Sequence, residues 1–221
     1  MHKPHHLLVH RTDLAAQDPD NLKDRLIEGG ETGYLQPIHR LDRATSGIVM
    51  FAREAEAHAA FHHMLMDGKV EKRYYAVVRG WLAEKECEIT KPLPTSHNPD
   101  PKPARTLVKV LEEVEFPEAM TRYETSRLSL LECRPLTGRF HQIRLHLKHL
   151  RHPILGDTAH GDRAHNRWMR ASDLSYVMLL HAGRMDFEWG GERVALSSGF
   201  SAAMESWMKR FGFQTSTDIF E

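Results

Sequence analysis

The chain has 221 residues, with 30 Lys plus Arg and 30 Asp plus Glu, and this length allows one domain with a sizeable core. The balanced charge excludes a strong overall field for a polyanionic partner, so any nucleic-acid surface has to be a local basic patch. The two cysteines, Cys87 and Cys133, lack metal-site spacing, no apolar run is long enough to cross a bilayer, and the N-terminus has no signal-peptide pattern. These features predict a soluble cytoplasmic protein.

The N-terminal segment is rich in histidine, with His2, His5, His6 and His10 among the first twelve residues. Their spacing does not repeat, and neither a cysteine nor an acidic ligand stands among them, so a structural zinc site is disfavoured. Residues 11–36 are polar and contain several glycines. Within them, Asn21 to Ile27 is predicted to form a short helix.

The stretch from His39 to Ala52 contains the first candidate for chemistry. Asp42 lies between Arg40 and Arg43, ahead of a Thr-Ser-Gly corner and an apolar run that predicts a buried strand. If either guanidinium group stays close to the carboxylate, the ionised form of Asp42 is favoured, as a nucleophile requires. The same residues also fit a surface ion pair beside a strand, which contributes little to stability.

The next two elements are predicted by their hydrophobic periods. Residues 54–67 have apolar positions at helical spacing and end before Gly68, which predicts an amphipathic helix. The pair His58 and His62 on this helix is compatible with a metal, but it lacks a third ligand. Residues 72–82 are rich in Tyr and Val and predict a strand. One face of this strand carries Tyr74, Ala76 and Val78.

The middle of the chain predicts a loop followed by a pair of strands. Five prolines between residues 91 and 104 predict an extended loop. Residues 105–114 and 122–133 alternate well enough to form paired strands. The acidic segment 112–118 between them would repel RNA, and we expect it to lie away from the substrate.

A basic strip is predicted near residue 144. Ile143, Leu147 and Leu150 predict the buried stripe of a helix. Lys148, Arg151 and Arg144 repeat the same spacing one residue along. The strip is a candidate phosphate-contacting surface, although a solvated helix face fits the same spacing.

The C-terminal third contains one predicted loop, a hairpin and a helix. The basic segment 160–170 is predicted to be a loop that faces RNA. A continuous apolar run from Tyr176 leads into an alternating segment that is expected to place Met185, Phe187 and Trp189 inward. Two glycines then predict a hairpin turn, and residues 201–210 predict a closing helix.

Several of these stretches resemble the motifs of the RluA family of pseudouridine synthases. His39 to Asp42, followed by the Thr-Ser-Gly corner, resembles the family's catalytic motif. The second and third motifs resemble Lys72 to Ala76, with Gly80, and Thr137 to His146. Further matches in the family's order are His152-Pro153-Ile154-Leu155-Gly156-Asp157 and Leu180-His181-Ala182. The segment that begins at Lys3-Pro4 is also similar, but His6 stands where the family usually has glycine and the preceding edge strand is missing.

The resemblance implies a fold and a set of catalytic residues. The expected fold is α+β, with a central mixed, mostly antiparallel sheet, flanking helices and a cleft across the sheet. It forms one catalytic domain over residues 1–221, without an S4 domain. Asp42 is implied as the catalytic residue and Arg144 as its ion-pair partner. Tyr74 is implied to stack on the target base and to help remove its C5 proton. Neither a cofactor nor a metal is implied.

The resemblance also implies the substrate contacts. Arg40 would fill the space left by a flipped uridine, and Leu180 would pack against the uracil. Arg139 fits a backbone or phosphate contact, and Lys148 and Arg151 belong to the basic strip. The expected partner is RNA, without an obligate protein partner or a membrane.

The type of RNA is predicted from the sequence similarity of two segments. Residues 72–82 and 148–162 are most similar to family members that modify tRNA at position 65, in the acceptor-stem region. A ribosomal RNA target remains open.

Three other functions fit parts of the sequence. An RNA-binding module with an inactive site fits the same motifs. A metal-dependent hydrolase would use some of the 16 histidines. A phosphatase with an aspartyl nucleophile would need a second aspartate two residues after Asp42, where this chain has Ala44.

Overall fold

The computed structural model describes residues 1–11, 20–94, 100–214 and 217–220. Its strands are β1 (His2–Lys3), β2 (Gln36–Pro37), β3 (Ser46–Ile48), β4 (Phe51–Ala52), β5 (Glu71–Arg79), β6 (Glu86–Ile89), β7 (Thr106–Phe116), β8 (Ser126–Pro135), β9 (Leu180–Trp189) and β10 (Glu192–Ser197). Its helices are α1 (Leu22–Glu28), α2 (Ala55–Met66), α3 (Gln142–His149), α4 (Arg163–Arg170) and α5 (Ala202–Phe211), followed by a 3₁₀ turn at Thr217–Phe220. No helix in these ranges is long and apolar enough to cross a membrane.

Eight strands form one mixed sheet in the order β1-β3-β9-β5-β8-β7-β6, with β10 also paired to β9. The pairing of β3 with β9 is parallel, and the other strand pairs of this sheet are antiparallel. This confirms the predicted α+β fold with a mixed, mostly antiparallel sheet. The edge at which the sequence predicts a missing strand is formed by β1, whose two residues pair with Gly47 and Ile48.

The central strand β5 separates two parts of the core, as its alternation predicts. Ala76 and Val78 pack in a cluster with Ile143 and Leu147 of α3. The alternate residues of β5, Tyr75 and Val77, pack in a second cluster on the other face of the sheet. That cluster also contains Met204, Trp207 and Phe211 of α5. Burying a large apolar side chain contributes about 1.5–3 kcal/mol. The buried apolar side chains of α3 and α5 therefore contribute most to the packing of these helices against the sheet.

The predicted loop at residues 160–170 is wrong, because Arg163–Arg170 forms helix α4. Asp162 caps it by accepting hydrogen bonds from the backbone N–H groups of Ala164 and His165. Met169 is fully buried in the α5 side of the core, which gives the short helix its tertiary support. The basic side chains of this segment still lie on its exposed positions, Arg163, Arg167 and Arg170.

Two smaller expectations also change. The acidic segment 112–118 begins inside β7, since Glu112 to Phe116 pair with β8, and it is not a separate connection. Trp189, expected to point inward, packs its ring against the buried Phe61 at a centroid distance of 5.9 Å but remains 42% exposed. In the proline-rich loop, Leu93 and Lys102 form an isolated bridge, and residues 95–99 lie outside the described ranges.

Candidate active site

Asp42 lies in the connection between β2 and β3. Its backbone carbonyl accepts a hydrogen bond from the N–H of Thr45 at 3.0 Å, which closes a tight turn ahead of β3. Gly47 has φ +117°, and a Cβ atom there would lie 2.2 Å from the carbonyl oxygen of Ala182. Only glycine allows β3 to approach β9 so closely. The turn that carries Asp42 therefore leads into a strand whose position is fixed. The side chain of Asp42 is 25% exposed.

Arg144 joins Asp42 to a second carboxylate. It projects from α3 and is buried, and its Nη1 atom donates to Oδ2 of Asp42 at 2.9 Å. Its Nε and Nη2 atoms both donate to Asp157 at 2.8 Å, as a bidentate pair. The planar guanidinium of arginine can satisfy both carboxylates at once, whereas the single ammonium of lysine cannot.

Asp157 also belongs to the site, although the motif that contains it, His152–Asp157, predicts no role for it. Its side chain is 1% exposed, and Oδ1 also accepts the backbone N–H groups of Ala159 and His160 at 3.0 Å. Burial raises the pKa of Asp157, but Arg144 and these N–H groups outweigh burial and hold the pKa below its ordinary value. Asp157 is therefore a fixed anion that aims Arg144 at Asp42.

Two histidines, also unassigned by the sequence analysis, complete the surroundings of Asp42. His141 Nε2 is 3.7 Å from Asp42 Oδ2, and His141 Nδ1 is 2.9 Å from His160 Nε2. Burial lowers the pKa of His141 to about 4, although Asp42 opposes this, and burial also lowers the pKa of His160. Both rings are therefore neutral at pH 7. Phe140 is half exposed and stacks on the His141 ring with a centroid distance of 3.7 Å.

A buried lysine, Lys3, stabilises the turn that carries Asp42 by hydrogen bonding to its backbone. Lys3 is fully buried, and its Nζ donates to the carbonyl oxygens of Pro4, Leu7 and Arg43 at 2.8–3.1 Å. Burial lowers the pKa of Lys3 to about 7, and the charge of Asp42 partly offsets that effect. The third carbonyl belongs to the residue directly after Asp42, so Lys3 ties the N-terminal segment to the turn.

The two arginines that flank Asp42 in the sequence, Arg40 and Arg43, do not pair with its carboxylate. Arg43 Nε donates to the carbonyl oxygen of His6 at 3.0 Å, and the Arg40 side chain is exposed. The positive partner of Asp42 is Arg144, which is 102 positions further along the chain. The expectation that Arg40 or Arg43 stays close to the carboxylate is therefore wrong, and the guanidinium that contacts Asp42 comes from a distant part of the chain.

Tyr74 and Leu180 border the site on the sheet. Tyr74 is partly buried on β5 and packs against the cluster that contains Leu180 of β9. Burial raises the pKa of the Tyr74 phenol, and the nearby charge of Asp42 raises it further. Leu180 itself is 3% exposed and pairs with Ala76 across β5 and β9.

The predicted basic strip is only partly present. Lys148 and Arg151 are exposed, but Arg144 is buried between two carboxylates and cannot serve as an outer phosphate contact. Arg151 also lies beyond the end of α3, with φ +65°. Arg139 is partly buried and donates from Nε to the carbonyl oxygen of Pro103 at 3.1 Å. Among the described residues, no three His, Cys, Asp or Glu side chains converge as a metal site.

The family described as RNA pseudouridylate synthase matches residues 1–149 of the chain. This sequence therefore belongs to that family, which confirms the resemblance to pseudouridine synthases and the prediction of an isomerase that acts on RNA.

Several curated relatives are similar over nearly the whole chain. A tRNA pseudouridine synthase C from Vibrio parahaemolyticus is 38% identical over 200 residues, covering 85% of this chain and 79% of that protein. A tRNA pseudouridine synthase C from Haemophilus ducreyi is 35% identical over 235 residues, covering 100% of this chain and 94% of that protein.

Two solved structures share the fold. Human RNA pseudouridylate synthase domain containing 4 aligns with a TM-score of 0.71 and 20% identity, over 95% of this chain and 88% of that one. Human RNA pseudouridylate synthase domain containing 1 aligns with a TM-score of 0.69 and 22% identity, over 90% and 86%. At these identities the likeness concerns the fold alone.

Proposed function

We propose that this enzyme isomerises a uridine of tRNA in the acceptor-stem region, with Asp42 as the catalytic residue. The observation that carries the proposal is the Asp42 carboxylate, which is held by Arg144 at 2.9 Å inside the motif that resembles the family's catalytic motif. The tRNA substrate is supported by the names of the relatives that align over most of the chain. A ribosomal RNA target is the alternative.

The reaction breaks the bond between uracil N1 and ribose C1′, turns the detached base and joins C5 to C1′. The C5 proton is lost and N1 gains a proton, so the reaction needs neither an oxidant nor a reductant. Asp42 starts it either by attacking the nucleotide or by removing a sugar proton. Both routes use the Asp42 carboxylate, which the buried guanidinium of Arg144 holds and orients through the 2.9 Å contact.

Tyr74 and Leu180 form the sides of the proposed uracil pocket. The Tyr74 ring is held on β5 beside Asp42, and Leu180 supplies an apolar surface from the adjacent strand. Because burial and the nearby Asp42 raise the pKa of Tyr74, its hydroxyl stays protonated at neutral pH. Tyr74 is therefore proposed to stack on the base and to help remove its C5 proton as a neutral hydroxyl and not as a phenolate.

A uridine inside folded RNA reaches Asp42 only after it has left its stack, which costs a few kcal/mol. Arg40 is exposed and lies two residues from Asp42, so it is placed to enter the vacated space. Lys148 and Arg151 are exposed near the end of α3 and contact phosphates in this proposal. Arg139 donates to the carbonyl oxygen of Pro103, so we propose that it contacts the protein backbone and not a phosphate. We place the reaction in the cytoplasm, where the RNA substrate is found.

The test is pseudouridine mapping on bulk tRNA and ribosomal RNA from a strain that lacks this gene, after incubation with purified protein. Asp42→Asn keeps the size of the side chain and removes its charge. Asp173→Asn changes an exposed acid outside the site and serves as the control. We expect a new pseudouridine in tRNA with the wild type and the control, and none with Asp42→Asn, which still binds tRNA.

Each other outcome has a defined meaning. New pseudouridine only in ribosomal RNA would refute the tRNA substrate and keep the reaction. Activity of Asp42→Asn close to the wild-type rate would refute the role of Asp42. RNA binding without turnover by any of the three proteins would favour an RNA-binding module with an inactive site.

A further inference from the structure

Besides Arg144, His141 approaches Asp42, and His160 contacts the other side of the His141 ring. His141 lies at the N-terminal cap of α3, where its backbone adopts the left-handed region with φ +52°. This conformation is uncommon for a residue with a Cβ atom, so the surrounding contacts hold it in place. Its ring lies between Asp42 Oδ2 at 3.7 Å and His160 Nε2 at 2.9 Å.

Asp42 and His160 together decide which ring nitrogen of His141 carries the proton. Two neutral imidazoles that share one hydrogen bond have one donor and one acceptor at the contact. If His141 donated from Nδ1, the lone pair of its Nε2 would face the carboxylate of Asp42 and be repelled. The reverse arrangement presents the Nε2–H of His141 to the carboxylate and is electrostatically favoured.

His160 is itself fixed by the ion-pair network of the site. Its backbone N–H donates to Oδ1 of Asp157 at 3.0 Å, and the same carboxylate binds Arg144. Asp157 therefore anchors both groups that approach Oδ2 of Asp42, one through Arg144 and one through the histidine pair. Phe140 covers one face of the His141 ring and limits its rotation.

We infer that His160 is a positioning residue for catalysis, which donates from Nε2–H to Nδ1 of His141 and thereby holds the Nε2–H of His141 toward Asp42. Oδ2 of Asp42 then faces two donors, Arg144 and His141. No donor within the described ranges binds Oδ1. Oδ1 is consequently the oxygen that reacts with the nucleotide. This inference rests on the proposed role of Asp42.

The charged and titratable groups around the two rings are known from the structure. The pKa of His141 is affected by the charges of four groups, Asp42, Arg144, Asp157 and His160. His160 is influenced by the same two acids, by Arg144 and by Lys148. Because burial keeps both rings neutral near pH 7, the arrangement requires no titration within the working range.

The first measurement is the tautomer of His141 by ¹⁵N imidazole NMR of the full-length protein at pH 7, with its signals assigned by their loss in His141→Gln. We expect a protonated Nε2 and an unprotonated, hydrogen-bonded Nδ1. In His160→Phe, which removes the donor and keeps a ring, the two tautomers should mix. A wild-type protein with the proton on Nδ1 would overturn the inference without any activity assay.

The second measurement is single-turnover pseudouridine formation. His160→Phe should lower the rate constant about tenfold or more, the size expected for one lost hydrogen bond near a charged group, with KM changed less than threefold. His160→Gln offers an N–H donor again and should recover a large part of the rate. His149→Phe changes an exposed histidine of the same helix and should match the wild type.

The outcomes separate this inference from the proposed function. If the wild type forms pseudouridine in tRNA and His160→Phe retains more than half of its rate, the inference is wrong and the proposed function stands. If His160→Gln is as slow as a stably folded His160→Phe, a merely structural role replaces the inference. If the wild type makes no pseudouridine in tRNA, the proposed function fails, and the NMR result still decides the tautomer.

Discussion

Asp157→Asn should weaken both the fold and the reaction, because Asp157 holds Arg144 in its bidentate geometry. Arg144 is 7% exposed and makes two of its three carboxylate hydrogen bonds to Asp157. Removing one partner of a buried ion pair costs about 3–5 kcal/mol. Asp42 remains as a partly exposed counterion and Asn keeps one acceptor oxygen, so we expect a loss of roughly 2–3 kcal/mol.

The kinetic effect follows from the same geometry. Once one of its bonds to Asp157 is lost, Arg144 can rotate away from Asp42, and the carboxylate loses its orientation. We expect the single-turnover rate of pseudouridine formation to fall at least about tenfold at saturating enzyme. Stability is measured by urea unfolding, with the m-value checked for a two-state transition.

Asp186→Asn is the matched control. Asp186 forms a similar bidentate pair with Arg184 on β9, at 2.8 and 3.0 Å, and both side chains are about 10% exposed or less. This variant should lose a comparable amount of stability and keep the wild-type single-turnover rate. If Asp157→Asn behaves in the same way, Asp157 is a structural anion only, and our account of Arg144 is refuted.

Three further predictions follow from the structure. Gly47→Ala should lower the free energy of unfolding clearly more than Gly33→Ala does. Gly33 is the control, because it has φ +81° and no atom within 4 Å of the added methyl group. Equal melting temperatures of the two variants would contradict the close approach of Gly47 to Ala182. Lys148→Gln and Arg151→Gln should each reduce the salt slope of tRNA binding by about one, in filter-binding assays at several KCl concentrations, whereas Lys209→Gln on α5 should not. Burial lowers the pKa of His181 to about 4 from 6.5, so the unfolded chain takes up this proton before the folded chain does. The unfolding free energy should therefore fall by about 1.6 kcal/mol for this residue between pH 6.5 and 5. A His181→Gln variant with an unchanged pH dependence would refute that last assignment.

The sequence determined the elements whose signal lies in short-range periodicity. The alternation in β5, the paired strands β7 and β8 and the apolar stripe of α3 were all predicted, because each side chain's face follows from its position within one element. The glycine pair at the β9–β10 turn was predicted for the same kind of reason, since both glycines have positive φ. The resemblance to pseudouridine synthases, confirmed by the family match, added the overall α+β fold.

Elements that depend on a distant partner were predicted wrongly. Segment 160–170 looks like a basic loop because its sequence is dominated by charged and polar residues. It is helical because Asp162 caps it and Met169 finds a place in the core beneath α5. Trp189 follows the inward alternation of β9 and contacts Phe61, but its ring stays 42% exposed at the end of the strand.

The candidate site shows the same division. The family resemblance implied that Asp42 and Arg144 form an ion pair, and in the structure Arg144 Nη1 lies 2.9 Å from Asp42 Oδ2. Which charges surround Asp42 was decided only by the tertiary structure: Arg43 turns to a backbone carbonyl, while Asp157 and the histidine pair arrive from α3 and the segment after it. Hydrogen bonds and ion pairs act over a few ångströms in space, and residues more than a hundred positions apart meet at that distance only after the sheet and α3 have packed.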